Sequence, residues 1–597
     1  MNAARRTRGL AGPLVAVALL VLSFAACSKS STPSLAINLT NAPATLTVNQ
    51  SVNLTATVGY DSSNAGVDWS CSASGTCGSF NPAHTASGGT TVYTAPASAG
   101  TVTITAAAAA DSSVKDTVTI SIVPIGSNSA LNGSYVFSVQ GVDSNGTYSA
   151  GGTIVADGNG NITGGEQDYT DMSIQAGPDA VTGTYSIGPD GRGSITLNVN
   201  NTTLPHNGVE TFSIAVTSAS HALMTQFDGT ATSSGSLDLQ AASAIDAAAI
   251  SGAFAFTAQG VDVTSRVPAC YGGVLIMNAS SGNFSTGTYF LNDGGSTNSG
   301  ALSGSVTAPD SFGRGTIDFA MGLTVAYYAV QGQVLRLVGR NAPYLVTGGS
   351  MYGQGAAGAG GTFSKASLSG DYVLFQAGGT VLGTLALAGQ FSADGAGNLT
   401  AGVADTNDGG TATFTSIASQ SAYAIAGDGT GTLILPASVD AGGNIGSLVI
   451  LAVDPAINLL DPNAAGGGGG ALVMDYDSNV VASGFIVSRS LGAFAGNYAL
   501  NLQLVGSNGE SDWVGQSVAA SGALTGSVDI NDSGATSAGV SLSGAFTADL
   551  TNTGRWTGSF TAGGTTHLIS YYQVSAGLFI IVDMDTADVG IGIMETE

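Results

Sequence analysis

Apolar and polar residues alternate in short runs along most of this chain. After Leu131, the side chains of Tyr135, Phe137 and Val139 are separated by single residues. A period of two predicts a β-strand with one buried face. Asp-Gly and Asn-Gly pairs between the runs favour tight hairpins, because such turns need residues that tolerate positive φ. The pattern predicts an antiparallel meander of about eight short strands in this stretch.

The meander recurs four times at intervals of about 120 residues, longer than the period of solenoid repeats. Its opening motif begins at Leu131, Ile250, Leu368 and Phe494. A second anchor is a position that follows a glycine and precedes or begins a strand in each copy, with a second glycine after it in the first three copies. It is occupied by Arg192, Arg314, Thr430 and Arg555. We name the predicted copies modules 1 to 4, with bounds 131–245, 246–360, 361–488 and 489–597.

The predicted fold class is all-β. Each module is either a small up-and-down barrel or a two-sheet sandwich, and the barrel is favoured because closure removes exposed strand edges. Each module is long enough for its own core, which predicts separate beads along a string. The glycine-rich stretch 353–361 is predicted to be a flexible joint, and the five glycines at 466–470 a long hairpin tip.

Residues 1–27 have the pattern of a secretory signal, with three arginines followed by an apolar run. The run ends in Phe24-Ala25-Ala26-Cys27, which resembles the lipobox of bacterial lipoproteins. The resemblance implies cleavage before Cys27 and acylation of its thiol, although Phe24 stands where leucine is usual. An ordinary signal peptide with an incidental cysteine is the alternative. The polar stretch 28–34 is predicted to be a flexible tether.

Residues 35–123 form a different predicted domain. It contains Trp69, the element Tyr93-Thr94-Ala95-Pro96 and a final alternating strand through Val118, Ile120 and Ile122. These features resemble the bacterial immunoglobulin-like (Big-type) domains of exported proteins. The resemblance implies a β-sandwich that acts as a spacer or adhesion module. The sequence departs from antibody-type domains, because no cysteine pair is placed to span the two sheets.

Cys71 and Cys77 lie six residues apart in this domain. Export to an oxidising compartment favours a disulfide between them. The alternative is a zinc site, which needs four ligands, and only His84 lies nearby in sequence. Cys270 is left over and is predicted to be a buried, inert thiol.

Composition excludes some functions. Charged residues make up 9% of the chain and the net charge is −26, with 13 basic residues. A nucleic-acid-binding protein needs a basic surface to release counterions from phosphates, so nucleic acid is not an expected partner. With so few charges, hydroxyl and amide groups must solvate the exposed faces of the strands.

The sequence carries few candidates for catalysis. The four histidines show no i, i+4 pairing, and the motifs of common hydrolases and phosphate-binding loops do not occur. Carboxylates are the abundant reactive groups, and paired ones could hydrolyse glycosides. Acids clustered at a hairpin of an acidic protein are more often a solvated rim. These carboxylates are Glu166, Asp168 and Asp171 in module 1, and Asp405 and Asp408 in module 3.

Two further motifs have a structural and a functional interpretation. Asp157, Asn159 and Asn161 resemble the first half of a calcium loop, but Ile162 replaces the required glycine at the sixth position and Asp168 stands at the twelfth, where glutamate is usual. A tight hairpin turn is the alternative. The Arg192 triplet could be a recognition tip, or a turn carrying one solvated charge.

These observations predict a bacterial envelope protein held by lipid at Cys27, in the outer membrane or at the cell surface. The predicted role is non-enzymatic binding, adhesion or structural support, with a glycan or another envelope protein as partner and no cofactor. A carbohydrate-active enzyme or accessory module using Glu166 and Asp168 is the second hypothesis. The third is a carrier that holds small apolar ligands in the barrel lumens.

Overall fold

The computed structural model describes residues 34–341, 344–418, 421–440 and 442–597. The predicted signal, Cys27 and most of the tether lie outside these residues. The described chain is built from 44 strands, one six-residue α-helix and short 3-10 helices, so the all-β prediction is confirmed. No helix in the described ranges has the length and apolar character to cross a membrane.

The N-terminal domain is a sandwich of two sheets, with strand orders β1-β3-β7-β5 and β2-β9-β8-β4-β6. Trp69 is buried between them and donates its indole N–H to Thr85 Oγ1 at 3.0 Å. The strands are β1 Ala36–Thr40, β2 Thr45–Thr47, β3 Ser51–Gly59, β4 Val67–Ser72, β5 Ser79–Asn81, β6 His84–Thr85, β7 Thr90–Thr94, β8 Gly100–Ala108 and β9 Asp111–Val123.

Module 1 is a closed eight-stranded barrel in sequential order, with the last strand paired to the first. The alternation of β10 places Tyr135 and Phe137 in the lumen and Val136 on the outside. The strands are β10 Asn132–Asp143, β11 Gly146–Asp157, β12 Asn161–Asp171, β13 Gln175–Ile187, β14 Arg192–Val199, β15 Val209–Ser218, β16 His221–Gln226 and β17 Ala231–Leu239, with 3-10 helices Asn128–Ala130, Pro205–Gly208 and Ala242–Ile245.

Module 2 is an open ten-stranded sheet curved around one core, in which the first strand of the module pairs with the last. Its two edge strands are β20 and β22. The strands are β18 Ser251–Asp262, β19 Val267–Asn278, β20 Asn283–Phe284, β21 Thr286–Asp293, β22 Ser296–Ala301, β23 Gly304–Val306, β24 Arg314–Phe319, β25 Leu323–Gln331, β26 Val334–Gly339 and β27 Leu345–Gly353, followed by α1 Gly355–Gly360.

Module 3 is a nine-stranded sheet with β31 and β32 at its edges. Its first and last strands also pair. The strands are β28 Ser369–Thr380, β29 Gly383–Asp394, β30 Leu399–Asp408, β31 Thr411–Ser416, β32 Ala422–Ile425, β33 Thr430–Ile434, β34 Ser447–Ala452, β35 Gly470–Asp475 and β36 Val480–Ser488, with 3-10 helices Lys365–Ser367 and Ala437–Val439.

Module 4 is a second closed eight-stranded barrel. Phe494 plugs it, with its ring 4.0 Å from that of Phe579 and 4.1 Å from that of Phe546. The strands are β37 Gly496–Gly506, β38 Gly509–Ala520, β39 Ala523–Asp532, β40 Ala535–Ala548, β41 Arg555–Ala562, β42 Thr565–Ser575, β43 Leu578–Asp583 and β44 Asp588–Thr596.

The modules are not beads on a string, and that prediction is wrong. One hydrophobic cluster takes buried residues from all four modules, among them Val136, Ala255, Val373 and Tyr572. These side chains lie on the outer faces of the strands, where a lone barrel would meet water. Burying them between modules removes that apolar surface from water, which stabilises the assembly.

The predicted flexible joint is also wrong. Residues Gly355–Gly360 form α1, which ends at Gly361 in the left-handed conformation that glycine adopts at little cost. Before α1, the buried Gln354 amide donates to the carbonyls of Asp428 and Ala452 at 3.1 and 2.8 Å. Module 2 is thereby fixed to module 3 where a hinge was expected.

Candidate functional site

An arginine–aspartate pair recurs between neighbouring modules. The arginine begins one strand, and the aspartate lies on the third strand of the adjacent module. Arg314 Nε donates to Asp168 at 2.6 Å, Arg555 Nε to Asp405 at 2.6 Å, and Arg192 Nη1 to Asp529 at 3.1 Å. Because module 1 pairs with both module 2 and module 4, the four modules close into a ring.

The interface between modules 2 and 3 lacks this pair. Strand register places Phe290 where the other modules have aspartate, and Thr430 replaces the arginine. The Phe290 ring meets the ring of Tyr476 edge-on at 5.8 Å. An aromatic contact therefore takes the place of the ion pair, so neither position leaves an unpaired charge in the interface.

A second contact repeats between modules, two residues further along the third strand. The side-chain amide of an asparagine there donates to carbonyl oxygens of the next module's last hairpin. Asn292 binds the Asp475–Val480 hairpin, Asn407 the Asp583–Asp588 hairpin and Asn531 the Gln226–Ala231 hairpin. Module 1 has Thr170 at this position, and Arg340 of module 2 instead reaches back to Asp168 and to the Gly177 carbonyl.

The ring encloses a cavity of about 390 Å³ on its axis, lined by residues from all four modules. The lining comes from outward-facing positions on the first and last strand of each module. Strand register arranges these positions in levels. One level contains Ser138, Thr257, Phe375 and Asn501, and the next contains Gln140, Gln259, Ala377 and Gln503.

One end of the cavity is closed by a buried charged cluster. His221 Nδ1 lies 2.7 Å from Asp238 Oδ1, and its Nε2 lies 3.3 Å from Glu595 Oε2 of module 4. Arg336 of module 2 donates to Asp238 at 2.6 Å, and Asp461 of module 3 lies 4.0 Å from the imidazole. The cluster thus joins all four modules at one point.

Electrostatics in this cluster favour an ionised histidine. Burial alone would lower the pKa of His221, but the carboxylates of Glu595, Asp461 and Asp238 raise it well above its usual value. Burial opposes ionisation of Asp238 as well, and the Arg336 guanidinium and His221 lower its pKa to about 2. A buried charge needs a partner, and here each module supplies one.

A long loop of module 3 completes this closed end. The residues between β34 and β35, 453–469, cross the ring from module 3. Tyr352 of module 2 donates its hydroxyl to the Leu459 carbonyl at 2.8 Å, and the Asn463 amide donates to Ser220 and Leu239 of module 1, both at 3.2 Å. Four of the five glycines, 466–469, lie in this hairpin loop, which holds the ring together, and Gly470 begins β35.

The other end of the cavity is more open. The outward-facing strand positions Val136, Ala255, Val373 and Ala499 at the closed end have 0% exposure. Six residues further along these strands, Val142, Val261, Gly379 and Val505 are half-buried. The N-terminal domain docks beside the closed end, because Gln50 donates to Ser220 Oγ at 2.8 Å. The mouth therefore faces away from that domain.

The carboxylates proposed for catalysis lie in module contacts or turns. Asp168 has Arg314, Arg340 and Tyr328 as hydrogen-bond partners, and Asp405 has Arg555 and Tyr572. Glu166 is half-buried beside Asp310. Its pKa is raised to about 7, mainly by burial and also by the neighbouring Asp310 carboxylate. Asp171 accepts the Asn145 amide at 3.0 Å, and Asp408 accepts the Thr380 hydroxyl.

The calcium candidate has the hydrogen bonds of a hairpin turn. Asp157 Oδ1 accepts the backbone N–H groups of Asn159 and Asn161 at 2.8 and 3.0 Å, and its Oδ2 accepts the Asn161 amide at 2.8 Å. Asp394 makes the same bonds with Ala396 and Asn398 in module 3. These N–H donors stabilise the ionised carboxylates and lower both pKa values.

Two histidine–carboxylate groups have the spacing to hold a cation. They are His221 with Asp238 and Asp461, and His567 with Asp583 and Asp585. In each, the shortest contact is a 2.7 Å hydrogen bond between the imidazole and one aspartate. In the first group the Arg336 guanidinium already supplies the positive charge to Asp238.

The cysteine predictions agree with the structure where it describes them. Cys71 and Cys77 form a disulfide, and Cys270 is a buried free thiol between modules 2 and 3. Burial raises the pKa of the Cys270 thiol, which makes the reactive thiolate scarce.

Cys270 should therefore resist thiol reagents in the folded protein and react once the chain is unfolded. Ellman's reagent should detect no thiol in native buffer and one fast-reacting thiol in guanidinium chloride, since acylation would consume the Cys27 thiol. A thiol that reacts within seconds under native conditions would contradict the buried interface.

The Arg192 triplet was predicted to carry a solvated charge, and this is wrong. Arg192 and its equivalents Arg314 and Arg555 lie in module interfaces, with side-chain exposures of 22%, 12% and 11%. The cavity residues were missed, although one signal was available. Gln140, Gln259 and Gln503 occupy the same place after the opening motif of three modules.

Comparison with known proteins identifies no family. No protein-family model and no curated protein matches the chain. A structure of transferrin binding protein B from Haemophilus parasuis aligns with 78% of this chain and 96% of its own, at 7% identity and a TM-score of 0.17. Intact Ap-TbpB, with N and C lobes, aligns with 90% and 85% at 8% identity and a TM-score of 0.13. Likenesses this low carry no inference about this chain.

Proposed function

We propose that this chain is a lipid-anchored bacterial envelope protein that binds a ligand and catalyses no reaction. The observation that carries the proposal is the axial cavity, to which every module contributes. Pockets that combine apolar surface with a few convergent polar groups are typical ligand sites. The partner we propose is a glycan or an envelope protein, and nucleic acid is disfavoured by the net charge of −26.

The proposed anchor gives the ring a definite orientation. Acylation of Cys27 would hold the N-terminus at the membrane, and the sandwich domain, which we propose to be of the Big type, would act as a spacer. Since this domain docks beside the closed end of the ring, the cavity mouth would point away from the bilayer. That orientation supports binding of a partner that approaches from outside.

The alternative functions have less support. Asp168 is held by two guanidinium groups and a tyrosine hydroxyl, so it lacks the open cleft that a glycosidase pair needs. The barrel lumens are filled by their own side chains; in module 1 these include Tyr135, Phe137 and Tyr148. A filled lumen leaves no room for an apolar ligand.

A glycan array probed with the purified protein, run beside a glycosidase panel, tests the binding role. We expect retention of at least one glycan and no release of reducing sugar above a buffer control. Turnover of any panel substrate by the protein would contradict a purely binding role.

The anchor is tested by Cys27→Ser. Loss of the acylated thiol should move the protein from the membrane fraction to the soluble fraction, because stable attachment depends on the lipid. Cys270→Ala, which changes a buried thiol far from the N-terminus, should leave the protein in the membrane fraction. Membrane retention of the Cys27→Ser protein would show that the lipid is not the anchor.

A further inference from the structure

The charged groups that line the axial cavity are already paired. Arg336 donates to Asp238, to Ser350 Oγ at 3.0 Å and to the Tyr352 hydroxyl at 2.9 Å. His221 is hydrogen-bonded to the same Asp238 at 2.7 Å. A charged ligand would lose its hydration without finding a free counter-charge, and this cost disfavours its binding. The cavity therefore suits a neutral ligand.

One wall of the cavity offers both donors and acceptors. Gln259 Oε1 accepts the Ser483 hydroxyl at 2.8 Å, which leaves its N–H groups to donate. Gln503 Nε2 donates to Glu510 at 2.7 Å, which leaves its oxygen to accept. Gln140 lies at the same level, half-buried and facing the cavity. This mixture matches hydroxyl groups, because each hydroxyl both donates and accepts.

Modules 3 and 4 also contribute an apolar surface, in which Ile591 is the cross-strand neighbour of Gln503. The rings of Phe375 and Phe485 lie 5.3 Å apart on neighbouring strands of module 3. Ile591 and Ile593 of module 4 continue this surface, and all four side chains are half-buried. A ligand that fits must therefore present C–H groups on one side and hydroxyl groups on the other.

We propose that the axial cavity binds one neutral saccharide ring, which enters by the mouth with its C–H face on Phe375 and Phe485 and its hydroxyls on the glutamine wall. A pyranose combines these two surfaces in a volume that fits within about 390 Å³. This inference rests on the proposed binding function and names the ligand class of its site. A terminal sugar of a longer glycan could enter in the same way.

The test uses the full-length protein purified in detergent, with calorimetry and saturation-transfer NMR as readouts. The neutral probes are glucose, galactose and N-acetylglucosamine, and the charged probes are glucosamine and glucuronic acid. We expect at least one neutral sugar to bind with a Kd in the micromolar to millimolar range. Its charged analogue should bind at least about tenfold more weakly, because its charge would be buried unpaired.

Variants locate the site. Ala377→Trp adds bulk at a half-buried cavity position, so it should abolish binding and leave the melting temperature unchanged. The double variant Gln140→Leu with Gln259→Leu should weaken binding by about tenfold through lost hydrogen bonds. Gln175→Leu, on an exposed glutamine of module 1, is the matched control and should bind as the unaltered protein does.

The outcomes separate this inference from the proposed function. Loss of neutral-sugar binding in Ala377→Trp, with the control unaffected, supports the saccharide site. Glycan-array binding that survives Ala377→Trp overturns the saccharide site and leaves the binding function standing. Absence of binding to every sugar and every array glycan by the unaltered protein overturns both.

Discussion

Asp168→Asn should lower the free energy of unfolding by about 3–5 kcal/mol, the usual cost of breaking a buried ion pair from one side. Asp168 is fully buried and accepts hydrogen bonds from Arg314, Arg340 and Tyr328. An amide removes the negative charge and leaves two guanidinium groups uncompensated between modules 1 and 2. Urea denaturation followed by intrinsic fluorescence measures the change.

The control for this prediction is Asp371→Asn. Asp371 pairs with Arg489 at 3.4 Å; its own side chain is 48% exposed, whereas that of Arg489 is 9% exposed. Water that reaches the carboxylate screens the pair, so Asp371→Asn should cost about 0–1 kcal/mol. Similar losses in the two variants would mean that the Asp168 contact does not hold the ring, whereas a loss confined to Asp168→Asn supports a buried electrostatic interface.

The protein should melt at a lower temperature at pH 8 than at pH 5. Burial raises the pKa of Glu210 to about 7 and that of Asp475 to about 8. Between the unfolded pKa near 4 and these folded values, the folded state holds more protons than the unfolded state. Stability therefore falls as pH rises through this window, by on the order of 3 kcal/mol for a fully buried carboxyl such as Glu210.

Other groups do not reverse this slope. The raised pKa of His221 acts in the same direction, because the stability from its protonated form is lost as pH rises through the folded pKa. The lowered pKa of Asp238, about 2, affects stability only in stronger acid. Melting temperatures measured from pH 5 to 8 at constant ionic strength test the prediction.

A pair of variants distinguishes two causes of the pH dependence: burial of individual carboxyl groups and repulsion among all the negative charges. Glu210→Gln removes one buried acid and should flatten the pH slope, whereas Asp190→Asn, at a side chain 50% exposed, should not. At pH 8 each variant removes one negative charge, so a general effect of the −26 charge would alter the two melting temperatures equally at that pH. A melting temperature that stays constant or rises towards pH 8 would refute the proposed role of burial.

Local pattern was enough to predict the strands, the repeated module and the barrels of modules 1 and 4, but not the open sheets of modules 2 and 3. Period-two alternation and Asp-Gly turns depend on neighbours in the chain, so they are visible in sequence. The disulfide was also predictable, because Cys71 and Cys77 lie six residues apart in a chain predicted to be exported. The cavity was not, since its lining combines residues from four modules that are far apart in the chain.

The prediction that the modules are separate beads failed for one physical reason. Alternation shows that a strand has two faces, and it places Tyr135 and Phe137 together on the face that is buried in the barrel. Val136 lies on the other face, and nothing in its neighbourhood says whether that face meets water or another module. The Arg192 triplet was misjudged for the same reason, since its partner Asp529 lies in the last module.

The sequence by itself determined which residues form strands, where the chain turns and how often the unit repeats, because these depend on backbone preferences and near neighbours. Only the tertiary structure decided that the outer faces of the barrels are buried, that module 4 returns to module 1, and that Gln140, Gln259 and Gln503 converge on one cavity. Those features arise from contacts across hundreds of residues, and the free energy that favours them appears only when the modules are packed together.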